Sequence, residues 1–139
     1  MRGVGLALAI GATLVAAGSA SARQSGYVFL QCDYLPPNAD RASVIFRIGG
    51  GQWDYLRDGA WWHWEAIPCN GQSGTMSRQC TFAETYFRSQ ARGVDVTISD
   101  TINRMTGRYD RTLVTTRVVL ETAAQCRPIA EPSTAERKF

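Results

Sequence analysis

The chain has a single histidine, His63, and a single lysine, Lys138, among its 139 residues. With one imidazole to offer, it has little to build a histidine-based metal site from. It also lacks close cysteine pairs: Cys69 and Cys80, the nearest two, are separated by ten residues. Thiolate zinc sites usually use spacings such as C-x2-C, and dithiol redox catalysts use C-x-x-C. Neither chemistry is expected here, and no metal ligands are assigned. No serine lies in a G-x-S-x-G turn, the context of an α/β-hydrolase nucleophile. Gly49-Gly50-Gly51 is not followed by Lys-Ser/Thr, so it is not a phosphate-cradling loop. Among the 12 acidic residues no pair stands out. Glu65 and Glu84 could be named as a glycosidase pair, but so could many others. No catalytic residue and no cofactor is therefore assigned, and the chain leans away from enzymes.

Long apolar runs are missing too. The longest, Val4 to Ala17, falls short of the roughly 20 residues a membrane helix needs. It follows the positive Arg2 and precedes Ala20-Ser21-Ala22. A positive start, a short apolar middle and a small-x-small exit make a secretory signal. We read residues 1–22 as that signal, 23–130 as one domain and 131–139 as a polar, disordered tail. No cysteine follows the cleavage point closely, so a lipid anchor is not expected and the mature chain should be soluble, without a membrane anchor. The leader carries one basic residue and no acidic one, leaving 14 basic against 12 acidic residues, a net charge of +2. That is too small to point to nucleic acid. The implied location is the periplasm or the exterior.

The four cysteines, Cys32, Cys69, Cys80 and Cys126, all follow the leader. An even number in an oxidising compartment reads as disulfides. Three pairings are possible. We favour Cys69–Cys80, closing the Gly- and Ser-rich loop Asn70 to Gln79, and Cys32–Cys126, tying the first strand to the last.

Between them, short apolar runs alternate with turn signals. Val94, Val96 and Ile98 alternate with polar residues, as do Val44, Phe46 and Ile48 with Ile45 and Arg47. Period two with β-branched residues means half-buried strands. We expect strands near 26–33, 42–48, 52–57, 60–67, 80–88, 93–99, 101–106 and 108–121. The fold class that follows is all-β: an antiparallel meander forming a small barrel or sandwich, stapled by two disulfides. For Thr81 to Arg92 a helix ending at Gly93 is the alternative, because Ala83, Phe87 and Ala91 share a helical spacing.

The most informative stretch is QWDYLRDGAWWHWEAI, Gln52 to Ile67, which holds all four tryptophans. Asp58-Gly59 is a two-residue hairpin signal. Taken literally it pairs Arg57 with Ala60, Leu56 with Trp61, Tyr55 with Trp62, Asp54 with His63, Trp53 with Trp64 and Gln52 with Glu65. Alternation then puts Trp53, Tyr55, Trp62 and Trp64 on one face, which is expected to be buried. Asp54, Trp61, His63 and Glu65 share the other, with Gln52 and Leu56. This mixed face is the candidate binding patch for an envelope protein or a cell-wall glycan, since Trp is a common anchor of such contacts.

Ile102-Asn103-Arg104-Met105-Thr106-Gly107-Arg108-Tyr109, followed by a strand and Cys126, resembles the end of many small exported bacterial proteins. These share an early cysteine, an I-[DN]-R-x-T-G hairpin and a terminal cysteine. The resemblance implies an exported β domain and no particular activity. Thr106-Gly107-Arg108-Tyr109 is also similar to part of the S-G-x-[RK]-Y loop of periplasmic C-type lysozyme inhibitors, small disulfide-bonded β-barrels. Here the tryptophan-rich stretch precedes that loop rather than following it. The likeness implies a loop entering a lysozyme cleft, with Arg108 and Tyr109 as its contact residues. The expected function is thus a non-catalytic exported binding protein. The alternatives are an inhibitor of a cell-wall hydrolase and a minor hydrolase around His63.

Overall fold

The computed structural model describes residues 26–38 and 41–133. The expected leader and residues 134–139 of the expected tail lie outside them. Ten strands follow in order: β1 (Tyr27–Asn38), β2 (Arg41–Gly49), β3 (Gln52–Arg57), β4 (Ala60–His63), β5 (Gly71–Ser73), β6 (Met76–Phe82), β7 (Tyr86–Arg92), β8 (Val96–Asn103), β9 (Arg108–Thr115) and β10 (Val119–Pro128). A short 3-10 turn, Trp64–Ala66, follows β4. The sheet order is β4-β3-β2-β1-β10-β9-β8-β7-β6-β5. Consecutive strands pair antiparallel except β4 and β5, β10 pairs back onto β1, and among the described residues β4 and β5 are the free edges. The protein is all-β: a curled antiparallel meander, a half-barrel open between β4 and β5. Among the described residues no helix is long and apolar enough to cross a membrane.

Both disulfides form as expected, Cys32–Cys126 and Cys69–Cys80. Cys32 and Cys126 face each other in the β1–β10 register, so this bridge staples the two ends of the meander where they meet.

Alternation along each strand turns one side chain in two to the concave face. Leu30, Cys32 and Tyr34 from β1 meet Phe46 and Ile48 from β2, Trp53 from β3 and Tyr109 from β9 in one buried cluster. Phe46 is its hub. Its ring stands edge-on to Trp53, Trp64 and Tyr109, with centroids 5.6, 5.0 and 5.7 Å away. Such edge-to-face pairs are favoured by the ring quadrupoles. A second, smaller cluster packs Ile67 against Ala91 and Ile98.

Several strand boundaries differ from expectation, among them the expected strand 60–67, which ends at His63. Residues 80–92 are two strands joined by a tight turn in which Ala83 N–H donates to the Tyr86 carbonyl at 2.9 Å. The helical alternative fails because Phe87, Ser89 and Ala91 are all buried, a period of two. The expected strands 93–99 and 101–106 are one strand, β8. The expected strand 108–121 is two, β9 and β10. Their turn has neither glycine nor proline to announce it. Instead the Thr115 hydroxyl accepts from the Arg117 and Val118 N–H groups at 3.2 and 3.0 Å. Finally, the Cys69–Cys80 loop contains the short strand β5.

Candidate functional site

The β3–β4 hairpin has the register that Asp58-Gly59 predicts, from Arg57↔Ala60 to Asp54↔His63. Both turn residues have positive φ, 52° and 73°, as a two-residue hairpin of this type requires. The pairing then stops. Trp53 does not pair with Trp64, nor Gln52 with Glu65, because the chain turns at Glu65 and Ala66, whose φ values are 64° and 56°. β4 is a free edge, and this turn swings Trp64 into the core.

The four expected core aromatics therefore split. Trp53 and Trp64 are buried, and Tyr55 packs partly buried against them. Trp62, expected in the core, is 56% exposed. It hangs from β4, which among the described residues pairs with β3 alone.

On the convex face, Asp54 is 1% exposed and is the centre of the candidate site. Arg47 donates to its Oδ2 through Nη2 at 2.6 Å and through Nε at 3.2 Å. His63 Nδ1 donates to its Oδ1 at 2.9 Å. A buried carboxylate must be satisfied in this way, because its desolvation would otherwise cost several kcal/mol, roughly, per ion. The Arg47 guanidinium lies 4.8 Å from the centroids of both Tyr27 and Trp61, and Trp61 packs on Phe29 at 5.8 Å. Cation–π contacts of this geometry contribute on the order of 0.5–2 kcal/mol. Asp54, Trp61 and His63 thus share one face, as read from the hairpin.

Arg47, Tyr27 and Phe29 were not foreseen there. A signal for Arg47 did exist. Reading Gly50-Gly51 as a two-residue turn places Arg47 opposite Asp54, the observed register. Tyr27 and Phe29 join only because β1 pairs with β2, which no local pattern states.

Glu65 is not on this face. It reaches the concave side, where its carboxylate pairs with Arg111. Arg111 Nη1 also lies 3.2 Å from Asp100 Oδ1, and the Tyr109 hydroxyl donates to that same oxygen at 2.7 Å. Tyr109 is fully buried, so it belongs to this interior network and not to an exposed loop; Arg108, beside it, is exposed. Burial raises the Asp100 pKa, opposed by Arg111 and by the Tyr109 hydrogen bond. The Trp64 indole N–H also favours the Asp100 carboxylate electrostatically, although it makes no hydrogen bond of ordinary geometry. Burial, and then Asp100, push the Tyr109 hydroxyl well above its ordinary pKa, so it remains a donor. Burial works against the Arg111 charge, but the Glu65 hydrogen bond and the Asp100 field outweigh it and raise its pKa.

A second interior cation, Arg78, is 1% exposed. Its Nε donates to the Ser89 hydroxyl at 2.7 Å, and its Nη1 to the Ile67 carbonyl at 2.7 Å. Burial pulls its pKa down to about 10, against the fields of Asp100, Glu65 and Asp54.

Among the described residues no group of three or more His, Cys, Asp and Glu could hold a metal ion. Among the described residues, the His63 side chain hydrogen-bonds Asp54 and no hydroxyl. Fold and site together define an all-β, disulfide-stapled half-barrel carrying a preassembled aromatic–arginine patch. No protein-family model, curated protein or solved structure matches the chain.

Proposed function

We propose that this protein is a non-catalytic, exported binding module that engages an envelope protein or a cell-wall glycan through the convex face of β2–β4. One observation carries this reading: Arg47 is held between Tyr27 and Trp61 and locked by a buried Asp54 that also orients His63. Trp, Tyr and Arg dominate binding energy in protein interfaces. Here they are fixed before any partner arrives, which lowers the ordering cost of association. His63, with its side chain 47% exposed, extends the patch. Two disulfides and the leader-like start support an oxidising compartment.

The test is crosslinking and capture of the tagged full chain from its own cells, together with its retention on isolated cell walls. The Trp61→Ala/His63→Ala variant is run beside it. Loss of the captured protein or wall fraction in a folded variant supports the reading. Equal capture by parent and variant removes this face from consideration.

A second reading, inhibition of a cell-wall hydrolase, is favoured by the loop between β8 and β9. The Asn103 carboxamide oxygen accepts from the Met105 and Thr106 N–H groups at 2.9 and 3.1 Å, and Met105 is 80% exposed on the loop so fixed. Arg108 is available to a partner there and Tyr109 is not. Lysozyme inhibition by the parent, abolished in Met105→Ala/Arg108→Ala, would support it. An uninhibited lysozyme would dismiss it.

A further inference from the structure

At the end of the half-barrel where β1 begins and β10 ends, a cleft of about 430 Å³ opens between the sheet and the β8–β9 loop. Its floor is the concave core itself: Leu30, Phe87 and Ile102, all buried. Val28 and Pro128 extend the apolar wall, and Met105 stands at its lip. Volumes of this order suit a small-molecule ligand. Methionine suits a lip that must adapt to a flexible apolar body.

The charged lining has one sign. Among the described residues, Arg104 and Arg127 line the cleft, and no Asp or Glu does. Arg104 is held in place, its guanidinium 4.6 Å from the Phe87 ring centroid and its Nη1 donating to the Ala83 carbonyl at 2.8 Å. A guanidinium has five N–H donors, so the others remain for a ligand. Arg127 alternates with the buried Cys126 on β10, so its side chain lies on the convex side of this end and Arg104 is the cation over the floor. An apolar floor under a fixed cation is complementary to a molecule with an apolar body and an anionic head.

We infer that this cleft binds an amphiphilic carboxylate, of the fatty-acid class, with its chain on Leu30, Phe87 and Ile102 and its head group on Arg104. The site is independent of the convex patch, and binding here does not require that patch to have a partner.

The probe is decanoate, titrated into the purified full chain by calorimetry and by methyl NMR. We expect one site per chain, with the Met105 methyl resonance moving and that of Met76 still. 1-Decanol, which keeps the chain without the charge, should bind at least about tenfold more weakly, as should acetate, which keeps the charge without the chain. Arg104→Gln should weaken decanoate about tenfold and Arg104→Lys less, because each removes or softens a charge-assisted contact. Trp61→Ala/His63→Ala should leave decanoate binding unchanged while abolishing capture of an envelope partner, which separates the two sites. Decanoate that fails to saturate, or 1-decanol that binds equally well, overturns the inference; that comparison needs no variant. Unchanged decanoate affinity in a folded Arg104→Gln variant overturns it as well.

Discussion

Arg78 donates from Nη1 to the Trp64 carbonyl at 2.8 Å, and this bond ties β6 to the segment that leaves the free edge β4. The same guanidinium reaches the Ile67 carbonyl at 2.7 Å. Where the meander lacks a β4–β5 ladder, a buried side chain supplies donors that a neighbouring strand would otherwise provide. The arrangement is costly, since the cation sits among neutral acceptors, and burial lowers its pKa to about 10.

Replacing Arg78 by Met should therefore destabilise the protein by about 3–5 kcal/mol, because the Trp64 and Ile67 carbonyls and the Ser89 hydroxyl lose their donor inside the fold. Urea unfolding measures this. A loss below about 1 kcal/mol would mean that water or a shifted segment replaces the guanidinium.

Asp100 provides a pH test. Its folded pKa is raised by burial, so the folded state holds this proton more tightly than the unfolded state does. The associated stability is fully present below the unfolded value, about 4, and is lost as pH rises through the folded value. Asp100→Asn cannot titrate. The melting temperature of the parent minus that of Asp100→Asn should therefore fall as pH increases from about 4 towards neutrality. A flat difference, or one that rises, contradicts the assignment.

Burial separates two tryptophans nine residues apart in the sequence. Trp53 is fully buried and Trp62 is 56% exposed. Trp53→Ala should cost about 3–5 kcal/mol, and Trp62→Ser within about 0.5 kcal/mol. Equal costs would place Trp62 against the core after all.

Gly107 explains the turn in the I-N-R-M-T-G segment without recourse to function. Its φ is +73°, and a Cβ there would overlap the Cys126 carbonyl oxygen. Its own carbonyl accepts from the Cys126 N–H at 2.8 Å. Gly107→Ala should destabilise by more than about 2 kcal/mol, combining left-handed strain with the clash. Thermal unfolding that is indistinguishable from the parent would show that the β8–β9 turn relaxes freely.

The disulfides should differ in worth. Cys32 and Cys126 are 94 residues apart, Cys69 and Cys80 only 11. Chain-entropy reasoning makes loss of the first cost about 2 kcal/mol more than loss of the second. Paired Cys→Ser variants, compared by urea unfolding, test the ordering.

Much of this architecture was legible in the sequence, and for local reasons. Period-two alternation with β-branched residues specifies strands. Asp58-Gly59 specifies the register of β3 on β4, and with it that Asp54, Trp61 and His63 share a face. Cysteine count and spacing favoured the two bridges that form. What remained hidden depends on which distant strands meet. The β9–β10 turn escaped because a threonine hydroxyl builds it, without glycine or proline. Trp62 was misplaced because alternation gives a residue's side of the strand but not whether another strand lies over it; β4 being a free edge decides that. Glu65 was misplaced because two positive-φ residues end the strand early and carry its carboxylate to Arg111. The interior network of Asp100, Tyr109 and Arg111, and the clasp by Arg78, exist only once the meander curls. Alternation along a strand is a local property and can be read from the chain, whereas closure, edges and the pairing of buried charges are properties of the curled sheet, and tertiary structure alone decides them.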